Sequence, residues 1–357
     1  IFQSESHGYD TVDFFRIDPR LGDDTTFDRL ATACRERGIH LMLDGVFNHV
    51  GTGHPLFQAA LAGKDPDAET MFRIHRTEAG VHYDDFEGHQ ALPALNHDSP
   101  VVVNRVADVM CHWLRRGASA WRLDAAYAVK PEFWARVLPR VRAEFPDVWI
   151  VGEVIHGDYP DIVRRSGMDS VTQYELWKAA WSSLLDGNFF ELDWCLKRHN
   201  NFLASFVPMT FIGNHDVTRI ASRIGNDKAA LAATILFTVG GIPSIYYGDE
   251  QAFRGVKTDR EGGDDEVRPA FPDTPAALSP LGEPMRRIHH DLIGLRRHNP
   301  WLVNATTTPV HLENRTFAYD AIGREEGQRL HVSLRLDPSP MADIHTADGT
   351  HLLHVGA

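Results

Sequence analysis

Hydrophobic and polar positions follow two rhythms along the chain. Short, nearly continuous apolar runs are separated by longer stretches in which apolar residues return every three or four positions. The short runs are Ile39–Phe47, Ala120–Asp124, Val148–Val154, Ser170–Tyr174, Met209–Gly213 and Ile242–Tyr247. Runs this apolar read as parallel strands covered on both faces, and the longer stretches as the helices between them. Ser99-Pro100 opens one helix as N-cap and first helical residue. Val103, Val106, Met110, Trp113 and Leu114 then recur at helical spacing until Gly117 stops it. Phe27–Arg37, stopped by Gly38, repeats the scheme before the first strand, and Asp227–Val239 repeats it before the last.

Two regions break this alternation. From Val50 to Leu95 the chain is rich in Gly, His, Asp and Pro without a clean period, which predicts a small subdomain or a substrate-covering loop. After a helix near Pro284–His298 the pattern changes to short alternating runs, among them Arg315–Tyr319 and Arg329–Leu334, which predict a β-rich C-terminal module. The expected division is therefore a βα-repeat body over residues 1–49 and 96–298, an excursion over 50–95, and a C-terminal domain over 299–357.

Composition narrows the function. A chain of 357 residues has room for one large core and a smaller appendage. Its net charge of −13 argues against nucleic acid, which needs a basic face. No apolar run approaches the roughly 20 residues that cross a bilayer. Cys34, Cys111 and Cys195 form neither a disulfide framework nor a zinc motif. Cys34 and Cys111 lie in apolar helical patterns and are expected to be small buried hydrophobes. Free thiols tilt the compartment slightly towards the cytoplasm; the oligomeric state is not legible.

Candidate chemistry lies at the strand ends. Asp44 closes one apolar run, Asp124 a second and Glu153 a third, while Asp216 lies just beyond a fourth. Carboxylates placed there need partners or a task, because burying them unpaired costs several kcal/mol. In a (β/α)₈ barrel, catalytic groups occupy this end of the strands. Arg122 stands two residues before Asp124, on the same side of an extended strand. Its charge is expected to lower the pKa of Asp124 and keep it ionised as a nucleophile. Glu153, near other carboxylates, is expected to stay protonated as a general acid. One ionised and one protonated carboxyl is the arrangement for glycoside cleavage.

With these residues in view, the chain resembles glycoside hydrolase family 13, the α-amylase family, from Ile1 to about Trp301. DGVFNH (Asp44–His49), WRLDAA, VGEV and IGNHD (ending His215-Asp216) occur in the family's order. HGYDTVDFFRIDPRLG and GIPSIYYGDE resemble its flanking motifs. The resemblance implies a (β/α)₈ TIM barrel, a subdomain B after the third strand and a short C-terminal β domain. It implies Asp124 as nucleophile, Glu153 as acid/base and Asp216 as transition-state stabiliser. Substrate contacts are implied for Tyr9, Asp44, His49, Arg122, His215 and Arg268, with an α-glucan or oligosaccharide as partner. No cofactor is implied. Ala94, Tyr127 and Ala128 depart from the family at positions tied to its calcium site, which argues against that metal, although Asn48 matches one ligand position. GEVIHGDYP is similar to the neopullulanase and cyclomaltodextrinase group.

Family members have two strands before the segment aligned with Ile1, so the six strands found leave the barrel short. An open barrel would expose strand edges and apolar core. The expectation is that the sequence is a fragment, poorly soluble and weakly active if made alone. Three other readings stay open. A non-catalytic relative would have lost a catalytic carboxylate, whereas all three are present. A metal-dependent hydrolase on this fold would show an HxH pair at a strand end, and none occurs. A glucan transferase, or a sucrose- or trehalose-type isomerase, shares every motif and differs in whether sugar or water attacks the intermediate.

Overall fold

The computed structural model of the chain describes residues 1–78, 80–260 and 262–356, which fall into two compact units, Ile1–Val171 and Thr172–Ala357.

The first unit is organised by a parallel sheet of four strands. In space their order is Ser170–Val171, Trp149–Gly152, Ala120–Leu123 and Met42–Gly45. Each strand is shorter than the apolar run that predicts it. The register pairs Leu43 with Trp121 and Trp121 with Ile150, and all three side chains are buried. The next row, one residue on, pairs Asp44 with Arg122 and Arg122 with Val151 on the opposite face.

Helices cover this sheet as the periodicity predicts. Pro100–Arg115 starts at Ser99, whose hydroxyl accepts from the Val101 N–H at 3.3 Å, and the turn at Gly117 follows it with φ 110°. Its inward face buries Val103, Val106, Met110 and Trp113. The Trp113 indole donates to the Phe14 carbonyl at 2.8 Å, tying the helix to an antiparallel hairpin of Phe2–Ser4 and Thr11–Ile17. That hairpin has no strong alternation and escaped the sequence reading. Helix Asp24–Glu36 carries Cys34, which is only half-buried; Cys111 is buried, as expected.

The aperiodic excursion is ordered. It holds the short helices Pro55–Leu61 and Pro66–Thr70, then two small hairpins, Ile74–Thr77 with Gly80–Tyr83 and Asp85–Phe86 with His89–Pro93. These elements are too short to leave a period in the sequence.

In the second unit Met209–Phe211 pairs in parallel with Ile242–Ser244. Five antiparallel strands follow in chain order: Thr306–Leu312, Thr316–Ile322, Arg329–Arg335, Met341–Thr346 and His351–Gly356. Helix Asn226–Thr238 is buried along ten consecutive positions, Ala229 to Thr238, because other elements pack around it. Its Thr238 hydroxyl meets the Tyr319 hydroxyl at 2.6 Å, which joins the helix to the C-terminal sheet.

Candidate active site

The parallel register of the first unit brings three carboxylates onto one guanidinium. Arg122 Nη1 donates to Asp44 Oδ1 at 2.7 Å and to Asp124 Oδ1 at 2.9 Å, while Nη2 lies 2.9 Å from Glu153 Oε1. The backbone at the strand ends fixes the same geometry. The Asp124 N–H donates to Gly45 O at 3.1 Å, and the Glu153 N–H donates to Leu123 O at 2.9 Å. A second anchor for Glu153 is the Ala125 N–H, 2.9 Å from Oε2. Ala125 holds that N–H in place from a left-handed backbone, φ 45°, which an alanine adopts only at a cost of about 1–2 kcal/mol.

Three negative charges around one positive charge cannot all be stable out of water. Burial, with the charges of Asp44 and Glu153, pushes the Asp124 carboxyl up to about 8 despite the pull of Arg122. This corrects the expectation that Arg122 keeps Asp124 ionised. Two residues of sequence show the cation, but not the desolvation or the carboxylates that share it. The Arg122 guanidinium, buried among these charges, is held firmly protonated: desolvation opposes its charge, and Asp44, Glu153 and Asp124 outweigh that opposition.

Tyr9 and His49 complete the first unit's group. The Tyr9 hydroxyl donates to Asp44 Oδ2 at 3.0 Å. His49 donates from Nε2 to the Tyr9 carbonyl at 2.9 Å and accepts at Nδ1 from the Asn48 amide at 3.2 Å. Burial pushes the imidazole down to about 4, so His49 is neutral in this tautomer near pH 7. Its ring stacks on Phe86, with centroids 4.7 Å apart. Glu87, next in that hairpin, accepts from the Tyr127 hydroxyl at 2.9 Å. Phe86 and Glu87 lie in the aperiodic excursion and carry no sequence signal that would have found them.

The second unit gathers His215, Asp216 and Arg268. Asn214 Oδ1 accepts from the Asp216 N–H at 2.9 Å, a side-chain turn that presents Asp216 just after the strand. Arg268 donates from Nη2 to Asp216 Oδ1 at 2.8 Å and from Nε to the His215 carbonyl at 2.9 Å. His215 Nε2 lies 3.2 Å from Asp216 Oδ2. A Cβ on Gly213 would stand 2.4 Å from Asp249 Oδ2, so a larger residue there would have to displace that carboxylate. Asp249 pairs with Arg219 at 3.0 Å. Burial pushes Asp249 up to about 6, with Arg219 pulling the other way. Arg219 escaped the sequence reading. Its signal is an arginine inside the apolar stretch that follows IGNHD.

Trp177 and Phe253 are partly covered by neighbouring aromatics, Phe211 and Phe271 respectively. At the positions that depart from the family's calcium motif, Ala94 offers a methyl group and Tyr127 gives its hydroxyl to Glu87, while Asn48 donates its amide N–H to His49. Among the described residues, no group of three or more His, Cys, Asp or Glu is placed to hold a metal. No helix among them is long and apolar enough to cross a membrane.

A family pattern described as "Alpha amylase, catalytic domain" matches residues 1–307. The chain is 34% identical over 283 residues to the cyclomaltodextrinase of Geobacillus thermopakistaniensis (strain MAS1), an alignment covering 75% of this chain and 47% of that protein. It is 31% identical over 323 residues to the maltogenic alpha-amylase of Bacillus acidopullulyticus, covering 85% and 53% respectively. The chain thus spans about half the length of these curated relatives. Among solved structures, the ligand-free cyclic alpha-maltosyl-(1→6)-maltose hydrolase from Arthrobacter globiformis matches with a TM-score of 0.82 at 25% identity. That match covers 100% of this chain and 84% of the other.

Proposed function

The chain belongs to the α-amylase family, and from that premise we propose that it is a retaining α-glucoside hydrolase working through a covalent β-glycosyl–Asp124 intermediate. Membership carries a (β/α)₈ barrel and a C-terminal β domain with it. We assign residues 50–95 as the subdomain that borders the substrate. The substrate class is α-1,4-linked glucan or maltooligosaccharide, with α-1,6 bonds as the second linkage to examine.

The observation that carries this reading is the single guanidinium of Arg122 in contact with Asp44, Asp124 and Glu153. Carboxyls held on adjacent nitrogens of one arginine are necessarily close. The separation of about 5–5.5 Å that goes with retention is compatible with that arrangement. In the proposed reaction Asp124 attacks the anomeric carbon while Glu153 protonates the departing oxygen. Glu153 then takes a proton from water as it opens the glycosyl ester, and the second inversion restores the α configuration.

The reaction needs the proton on Glu153 and the anion on Asp124. We give Asp216, held by Arg268, the role of stabilising the oxocarbenium-like transition state. We assign His215 to the sugar hydroxyls and Tyr9 to the ring, with His49, whose two ring nitrogens are taken by Tyr9 and Asn48, holding Tyr9 in place. The chemistry needs no cofactor, since proton and nucleophile both come from side chains. We place the protein in a reducing compartment, as its three free thiols suggest.

Proton NMR of the first turnovers on maltotriose tests the reading. The initial product should carry the α anomer. An initial β anomer would replace retention by inversion, and longer oligosaccharides formed with no net gain of reducing ends would favour the transferase reading.

A further inference from the structure

We propose that Arg219 is a positioning residue that sets the aim of Arg268 on Asp216; the inference rests on the functional reading above. Arg219 is 1% exposed and ranks among the largest fully buried side chains of the chain. It is the centre on which three loops close. Nε donates to the Val267 carbonyl at 2.9 Å, and Nη1 donates to the Tyr247 carbonyl at 2.6 Å and to Asp249 Oδ1 at 3.0 Å. The guanidinium carbon lies 3.9 Å from the Tyr246 ring centre, within range of a cation–π contact. Its own N–H donates to Gly255 O at 3.0 Å.

The Val267 contact gives the arginine its leverage. Val267 immediately precedes Arg268, and its carbonyl accepts from both Arg219 Nε and the Tyr246 hydroxyl, the latter at 3.2 Å. Arg268 in turn reaches Asp216 Oδ1 and the His215 carbonyl. Arg219 stands only three residues after Asp216, so one side chain spans from the turn that bears the carboxylate to the peptide that bears its guanidinium partner. On the far side Asp249, paired with Arg219, packs against Gly213 at the start of the same turn. A planar fork with three fixed acceptors and an aromatic face can hold these segments in register. A lysine ammonium, a point charge on a flexible stem, cannot.

Arg219 makes its contacts to Val267, Tyr247, Asp249 and Gly255, on the loops that carry Arg268 and flank Asp216. Its loss should therefore act on the transition state through Asp216 and leave ground-state binding largely intact. A misplacement of about 1 Å in such a group costs up to about 100-fold in rate.

The test compares wild type with Arg219→Lys, and with the neutral pair Arg219→Met/Asp249→Asn should the single variant fold poorly. Active sites are counted by the burst from an activated 2-deoxy-2-fluoro-α-glucosyl donor, and kcat is expressed per counted site. The expected result is a kcat per site lower by about 10- to 100-fold with KM within about twofold. A merely structural arginine would lower the number of active sites and the melting temperature while the surviving sites turned over at the wild-type rate. That outcome overturns the inference alone. A wild type that shows no burst overturns the functional reading and this inference with it.

Discussion

Replacing Asp124 by Asn separates the two forces acting on that carboxyl, because the amide keeps the shape and cannot ionise. In the folded protein, burial and the charges of Asp44 and Glu153 push Asp124 up to about 8, while an unfolded chain leaves it near 3.8. A carboxyl whose folded pKa is raised binds more protons in the native state than in the unfolded one between those values. Stability must then fall as pH rises through that window, by up to about 1.4 kcal/mol per pH unit. Below pH 4 both states hold the proton and the effect vanishes; above pH 8 both have lost it and the deficit is constant. Interaction with neighbouring charges broadens this slope, and a total of a few kcal/mol is the reasonable scale. Asp124→Asn removes the contribution. Its unfolding free energy relative to wild type should rise steadily from pH 5 to pH 8 and then level off. Urea unfolding at pH 5, 6, 7, 8 and 9 measures this directly. A difference that stays flat, or that falls with pH, would show that Arg122 wins over burial.

Three further outcomes bear on the site. Glu153→Gln should slow maltooligosaccharide cleavage by several orders of magnitude but spare aryl glycosides with acidic leaving groups, because only the former need protonation; kcat/KM for both substrates checks it. Asp216→Asn should lower kcat by about 10²–10³-fold with an unchanged urea midpoint, which steady-state kinetics beside an unfolding curve would show. Tyr127→Phe should remove the bond to Glu87, cost about 1 kcal/mol and raise amide exchange across Asp85–His89. Unaltered exchange there would mean the hydroxyl contributes nothing to that hairpin.

The strand ends were legible because apolar runs covered on both faces leave few other places for an acid. Asp44, Asp124 and Glu153 each stand at such a boundary, where the ladder stops, and Asp216 follows its strand by five residues. Local spacing also carried the Ser99 cap and the partnership of Arg122 with Asp124. What escaped depends on distance along the chain. The fall-off in solvation that raises Asp124 comes from elements that sequence spacing does not bring near. The stacking of Phe86 on His49 and the Tyr127–Glu87 bond join residues 37 and 40 positions apart. Arg219 looks like any charged residue beside an apolar helix until its three carbonyl and carboxylate acceptors are seen. The Phe2–Ser4 and Thr11–Ile17 hairpin was missed because its burial does not alternate.

Incubation with the activated fluoroglucosyl donor, followed by peptide mass spectrometry, asks the question on which the account stands. Trapping should add one fluoroglucosyl group per chain, attached as an ester to the peptide bearing Asp124. The label should leave with the return of activity when a maltose acceptor is added. A label on any other carboxylate, or turnover of the donor with Asp124 never modified, would contradict the covalent mechanism.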